Sequence, residues 1–244
     1  MSGFADRILS LFFPHRCTFC GKAISSGQII CNDCVKALPY VSGKTCPRCG
    51  RGTEYCKCAG DRFEFDRCIS PFYYAGIVRR SIISYKFHAK QASAAAYAAI
   101  TAEKIKKEYG GMRFDYVTSV PLSASEFKKR GFNQSEIFAR ALAENLELPY
   151  RNVLFKPNDV KPQRTLNSAE RKKNVSGAFC AKEKEETTAV LLVDDIITTG
   201  STLSDCARAL KSAGVKTVFC AAIACVVPNF PETFQTQKKY DKIN

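Results

Sequence analysis

Apolar and polar residues alternate after residue 68 in spacings that define a series of elements. Ile69 to Tyr74 is rich in β-formers and predicts a strand. Gly76 to Phe87 predicts a helix with Ile77, Ile82 and Ile83 apolar and Arg79, Arg80 and Lys86 basic. Gln91 to Tyr109, rich in alanine, predicts a second helix that Gly110 and Gly111 stop. Tyr116 to Val120 predicts a strand ending in Pro121, Leu122 and Ser123. The basic, glycine-broken run Lys128 to Gln134 then enters a helix whose buried stripe is Ile137, Phe138, Ala141 and Leu142. Short strands are expected at Asn152 to Phe155 and at Val190 to Val193, and a last core strand at Thr217 to Val227. Between them, Lys156 to Ala178 is a long polar run carrying Arg164, Arg171, Lys172 and Lys173, the composition of a cationic lid. Near the start, Leu9, Phe12 and Phe13 are expected to pack a short helix onto the body.

The organising stretch is Val190 to Ser204, VLLVDDIITTGSTLS. An apolar strand leads into Asp194 and Asp195, then into Thr198-Thr199-Gly200-Ser201-Thr202. Leu203, Cys206, Ala207 and Leu210 follow at i, i+3, i+4 and i+7, which marks a helix. In an open α/β sheet, ligands bind beyond the carboxyl ends of the strands. A turn of small residues at a helix N-terminus presents backbone N–H groups and a positive dipole end, which suit a phosphate. Gly200 permits the tight turn, and the four hydroxyls can donate. The carboxylates would repel a phosphate in their own pocket. They suit ribose hydroxyls one sugar away, or Mg²⁺.

This order of strand, acidic pair, two β-branched residues and Thr-Thr-Gly closely resembles the phosphoribosyl-pyrophosphate loop of type I phosphoribosyltransferases. Receiver domains carry an acidic pair on their first strand, whereas this one lies late in the chain. The G-x-x-x-x-G-K-[ST] signature of P-loop ATPases is missing.

The cysteines divide the chain. Nine of the thirteen lie before residue 70. Without a signal-like start they point to metal rather than to a disulfide scaffold. Cys17-Cys20 and Cys31-Cys34 are two C-x-x-C pairs, the signature of a zinc ribbon. A second set is Cys46, Cys49, Cys56 and Cys58, with Cys68 as a possible substitute ligand and interleaved pairing left open. Four thiolates leave no coordination position for water, so both sites read as structural. Ribbon residues Arg48, Arg51 and Lys57 are alternative nucleic-acid contacts. The expected organisation is a zinc-binding module over 1–68, an α/β domain over 69–228 and a polar tail over 229–244.

The 244 residues carry a formal net charge of +14, which favours polyanionic partners. No apolar run approaches a membrane span, and the first residues are not expected to act as a secretory signal, so the cytoplasm is the expected compartment.

Nearly the whole chain resembles the ComF family, phosphoribosyltransferase-like proteins with an N-terminal zinc module. The resemblance rests on the cysteine knuckles, Tyr85-Lys86-Phe87, Val120-Pro121-Leu122 and Arg130-Gly131-Phe132-Asn133-Gln134. It continues through Gln163, Leu166, Ala169-Glu170-Arg171, Asn174, Gly177-Ala178-Phe179 and the DDIITTG loop. Two departures are local: Cys56 and Cys58 are spaced C-x-C, and Ser123 and Ser125 stand where relatives often carry basic residues. The resemblance implies a type I fold, a parallel sheet flanked by helices. It implies phosphoribosyl pyrophosphate bound with Mg²⁺, a link to natural transformation or the use of external DNA, and association with single-stranded DNA and uptake proteins. Asp194, Asp195 and Arg171 would then be catalytic. Thr198, Thr199, Gly200, Ser201, Thr202, Leu122, Ser123, Lys86, Lys128, Arg130 and Gln134 would bind substrate. The acceptor of the ribosyl group is undefined. Alternative readings are a salvage phosphoribosyltransferase acting on a free base and a non-catalytic DNA-handling adaptor.

Overall fold

A computed structural model of the chain describes residues 15–58, 63–88, 91–157 and 179–231. In order these form α1 (Asn32–Ala37), a 3-10 turn (Thr53–Tyr55), β1 (Arg67–Ile69), β2 (Phe72–Tyr73), α2 (Gly76–His88) and α3 (Gln91–Glu108). Next come β3 (Tyr116–Ser119), α4 (Ala124–Arg130), α5 (Gln134–Asn145), β4 (Leu154–Phe155) and β5 (Cys180–Ala181). The last are β6 (Ala189–Ile197), α6 (Ser201–Ala213) and β7 (Thr217–Cys225). The main sheet is parallel in the order β1-β7-β6-β3, with β2 continuing the β1 edge along β7. β4 and β5 form a separate antiparallel pair.

A parallel sheet needs both faces covered, and β6 shows how the sequence does it. Leu191 and Val193 enter one core with residues of α2, α3 and α5. Val190 and Leu192 enter the other with Leu203, Cys206, Ala207 and Leu210 of α6. The first ribbon follows the same division: Cys17, Phe19, Cys31, Cys34 and Leu38 join the first core. Val41, Phe65, Cys68 and Tyr73 join the second, so the cysteine-rich module brackets the β1/β2 edge.

Three elements differ from the sequence expectation. The strand expected over 69–74 is two strands broken at Ser70 and Pro71. Proline has no N–H for the ladder, and the Pro71 carbonyl instead accepts from Val41 N at 2.9 Å. The basic run before α5 is largely helical, because Ser123 and Glu126 form a reciprocal capping box that starts α4. Gly131, at φ +77°, ends it, and Asn133 caps the next helix. Finally, β6 does not stop at Val193 but stays paired through Ile197. The helix expected around Leu9, Phe12 and Phe13, the polar run over 158–178 and the tail beyond 231 lie outside the described residues.

Candidate functional site

The two cysteine quartets close in chain order rather than interleaved. The sulfurs of Cys17, Cys20, Cys31 and Cys34 lie within 4.8 Å of one another, as do those of Cys46, Cys49, Cys56 and Cys58. A tetrahedron with metal–sulfur bonds of about 2.3 Å has sulfur–sulfur edges of about 3.8 Å. The Cys20–Cys31, Cys46–Cys58 and Cys49–Cys56 separations are 3.7, 3.6 and 3.7 Å, and the C-x-C neighbours Cys56 and Cys58 are closer at 3.2 Å. The geometry and the all-thiolate donor set fit zinc. Cys68 is fully buried in the second core and belongs to neither quartet.

The acidic pair sits at the carboxyl end of β6, reached by side chains from two helices. Lys86 Nζ of α2 lies 2.7 Å from Asp195 Oδ2. Ser135, in the first turn of α5, donates its hydroxyl to Asp194 Oδ1 at 2.8 Å, and the Asp195 N–H donates to the same oxygen at 2.8 Å. Burial and then the Asp195 charge push the Asp194 carboxyl up to about 7, against the lowering effect of Ser135. The helix ends are fixed in turn. Tyr85 donates to the Gln134 carbonyl at 2.8 Å, and Gln134 Nε2 donates to the Lys86 carbonyl at 3.2 Å. Asn133 caps α5 through Oδ1 and donates through Nδ2 to the Val120 carbonyl at 3.0 Å, tying α5 to the end of β3.

Past Ile197 the chain turns through Thr198, Thr199 and Gly200 into α6. Gly200 has φ +90°, and a Cβ there would stand 2.9 Å from the Phe63 ring, so both conformation and space select glycine. Thr198, Thr199, Ser201 and Thr202 are exposed; the N-cap residue of α6 is Gly200, and the Thr199 hydroxyl accepts from Ser201 N at 3.3 Å. The Thr199 and Ser201 hydroxyls pair at 2.9 Å. This turn therefore offers a dipole-positive helix start beside exposed hydroxyls.

Beyond β3 opens a cavity of about 580 Å³ that includes Leu122, Ser123, Phe127, Lys128, Phe155, Lys156 and Lys182. Phe127 and Phe155 are 51% and 41% exposed, leaving aromatic surface beside three lysines. Two residues expected to bind substrate have their side chains engaged within the protein. The Ser123 hydroxyl accepts from Glu126 N at 3.2 Å, and Gln134, 1% exposed, accepts from Arg130 at 3.2 Å while holding Lys86. Lys128 lines the cavity, whereas Lys86 is paired with Asp195. Arg171 lies outside the described residues. Arg51, read from sequence as a surface contact for nucleic acid, is instead 8% exposed. Its guanidinium donates to the carbonyls of Thr198 and Val226.

A double zinc ribbon domain model matches residues 8–68, and a phosphoribosyl transferase domain model matches residues 129–243. With the parallel helix-covered sheet and the two quartets, the chain combines a phosphoribosyltransferase-type fold with an N-terminal double zinc ribbon. It is a homologue of the competence and DNA-utilization proteins. It is 26% identical over 223 residues to Competence protein F of Haemophilus influenzae, covering 85% of this chain and 95% of that protein. It is 27% identical over 218 residues to DNA utilization protein YhgH of Salmonella typhimurium, covering 85% and 96%. Among solved structures, the allosteric regulatory enzyme of purine biosynthesis aligns with 54% of this chain and 26% of its own, at 24% identity and a TM-score of 0.38. Among the described residues no helix is long and apolar enough to cross a membrane.

Proposed function

We propose that this protein binds phosphoribosyl pyrophosphate with Mg²⁺ at the carboxyl ends of β6 and β3, and that it serves in DNA uptake or the use of external DNA. The observation that carries this is the Asp194–Asp195 pair near the carboxyl end of the central strand, two residues before the exposed hydroxyl turn at the start of α6. Thr198, Thr199, Ser201 and Thr202, with the backbone around Gly200, take the 5-phosphate. Asp194 and Asp195 accept from the ribose 2′- and 3′-hydroxyls. Their oxygens are also the hard donors that Mg²⁺ prefers, and the ion, when bound, neutralises diphosphate charge. Lys86, Lys128 and Arg130 supply fixed positive charge for the diphosphate, with Arg171 as a further catalytic candidate. In transfer, the C1–O bond to pyrophosphate breaks, pyrophosphate leaves with the bonding pair, and the acceptor lone pair closes on C1. The protein's part is positional and electrostatic.

Single-stranded DNA is the proposed macromolecular partner. Exposed Phe127 and Phe155 beside Lys128 and Lys182, with Lys156 paired to Glu126 at 3.2 Å, combine stacking surfaces with phosphate-neutralising cations, as single-strand binders do. The relatives' names, competence and DNA utilization, support the same setting. A reducing cytoplasm is the proposed setting, since it keeps the eight quartet cysteines available as metal-binding thiolates.

Two arms test the reading. In ³¹P NMR with Mg²⁺, the donor's 5-phosphate resonance shifts saturably on adding protein, and an unshifted resonance with folded, zinc-loaded protein rejects the donor site. Fluorescence anisotropy with labelled single strands shows binding that weakens steeply with salt. Salt-insensitive binding, or binding unchanged by Phe127→Ala with Phe155→Ala, rejects the groove.

A further inference from the structure

We infer that Arg51 is the positioning residue of the phosphate loop, so that the second cysteine quartet, unlike the first, is an arm of the phosphoribosyl site; the ligand part of this inference rests on the proposed function. Arg51 follows Cys49 by one glycine, and its buried side chain hydrogen-bonds the Cys49 thiol as well as two strand-end carbonyls. Nε donates to the Val226 carbonyl at 2.8 Å, and Nη2 donates to the Thr198 carbonyl. Val226 and Thr198 are the first residues past β7 and β6, joined further back by Val226 N to the Ile197 carbonyl at 2.8 Å. The guanidinium thus holds the two strand ends at the point where β6 becomes the hydroxyl turn. A planar fork of donors suits two carbonyls at once, which an ammonium does not reproduce.

Arg51 is itself held by the quartet. Its carbonyl accepts from Cys46 N at 2.7 Å, and Gly50 N donates to the Cys46 carbonyl at 2.9 Å. The knuckle is docked on the sheet, because Cys68 N donates to the Pro47 carbonyl at 3.0 Å. A Cβ on Gly50, at φ +71°, would lie 2.7 Å from the Cys68 carbonyl oxygen, so the approach leaves no slack. The segment after the quartet supports the other side of the loop. Phe63 packs on Gly200, and Glu64 N donates to Ser204 Oγ at 2.9 Å. The first quartet points elsewhere: Thr18 accepts from Ser81 of α2 at 2.9 Å, and Phe19 meets Phe72 and Tyr97 edge-on. A metal-organised knuckle therefore fixes a buried cation behind the loop without occupying the ligand's side of it.

The test uses the full zinc-loaded chain with Arg51→Met, Arg51→Lys and Arg51→Ala, and with Cys17→Ser as the control for the first quartet. Hydrogen exchange of residues 198–204 is read first, because it needs no ligand. Arg51→Met is expected to speed exchange there while keeping two zinc ions, and Cys17→Ser is expected not to. Ribose 5-phosphate and inorganic pyrophosphate are then titrated separately. Losing the charged hydrogen bond to the Thr198 carbonyl lowers ribose 5-phosphate affinity by about tenfold, with Arg51→Lys intermediate, and leaves pyrophosphate affinity nearly unchanged. Added guanidinium restores part of the loss in Arg51→Ala. Unchanged exchange over 198–204 in Arg51→Met overturns the inference, and so does an equal loss for both probes, which would mark general damage. Faster exchange with no ribose 5-phosphate binding in the wild type keeps the positioning role and rejects the phosphoribosyl reading of the loop.

Discussion

Lys86 and Asp195 stand 2.7 Å apart, with side chains 27% and 13% exposed, across the gap between α2 and the end of β6. The Lys86 ammonium is held by the carboxylate that the proposed ribose hydroxyls require. Donor binding must therefore redistribute this contact. Lys86→Met leaves Asp195 beside Asp194 without its partner and is expected to destabilise the fold by about 1–3 kcal/mol. Lys86→Arg retains most of the stability. Urea unfolding at pH 7.5 measures both, and a Lys86→Met, Asp195→Asn double variant recovering part of the loss isolates the pair.

Asp194 gives a pH signature. Its carboxyl is raised from 3.8 to about 7 in the folded chain, first by burial and then by Asp195. A raised carboxyl favours the folded state fully below about 4, and this contribution is lost as pH rises through about 7. Asp194→Asn keeps an oxygen for the Ser135 and Asp195 donors. It is expected to be more stable than wild type at pH 8 by roughly 1–3 kcal/mol and equal to it near pH 4. Urea midpoints at the two values check the sign.

The same carboxyl must ionise to accept ribose hydroxyls or Mg²⁺. Wild-type donor affinity is expected to climb with pH, close to tenfold per unit below about 7, and to level above it. A flat profile from pH 6 to 8 would separate Asp194 from binding.

Gly200→Ala meets two obstacles, a φ of +90° and the Phe63 ring 2.9 Å from the new Cβ. A loss of about 1–3 kcal/mol is expected. Adding Phe63→Ala removes the clash but not the backbone strain, so thermal unfolding of the pair should recover only part of it.

Cys68 separates the two readings of the second metal site. Because it lies in the core and outside both quartets, Cys68→Ala should still bind two zinc ions per chain. Cys58→Ser should lose one. Metal analysis after dialysis distinguishes them.

Much of this arrangement is local in sequence and was legible there. The apolar run of β6, its acidic pair, the glycine turn and the α6 stripe are contiguous, and knuckle spacing marks the first quartet, whereas the C-x-C spacing of Cys56 and Cys58 leaves the second open to Cys68 until the fold excludes it. The start of α4 carried a readable sign, Ser123-x-x-Glu126, but the basic residues after it read as loop. Pro71 likewise marked the strand break. The rest depends on chain closure. Lys86 meets Asp195 only once α2 lies over β6. Arg51 reaches Thr198 and Val226 across 147 and 175 residues, and nothing in its neighbours distinguishes it from a surface arginine.

The most direct measurement is calorimetric titration of phosphoribosyl pyrophosphate with Mg²⁺ into the zinc-loaded wild type and into the Asp194→Ala, Asp195→Ala double variant. Saturable one-to-one binding to wild type is expected, with loss of most of that affinity in a double variant that still folds and keeps two zinc ions. No binding to the folded wild type, or equal binding by both proteins, would contradict donor binding at the acidic pair.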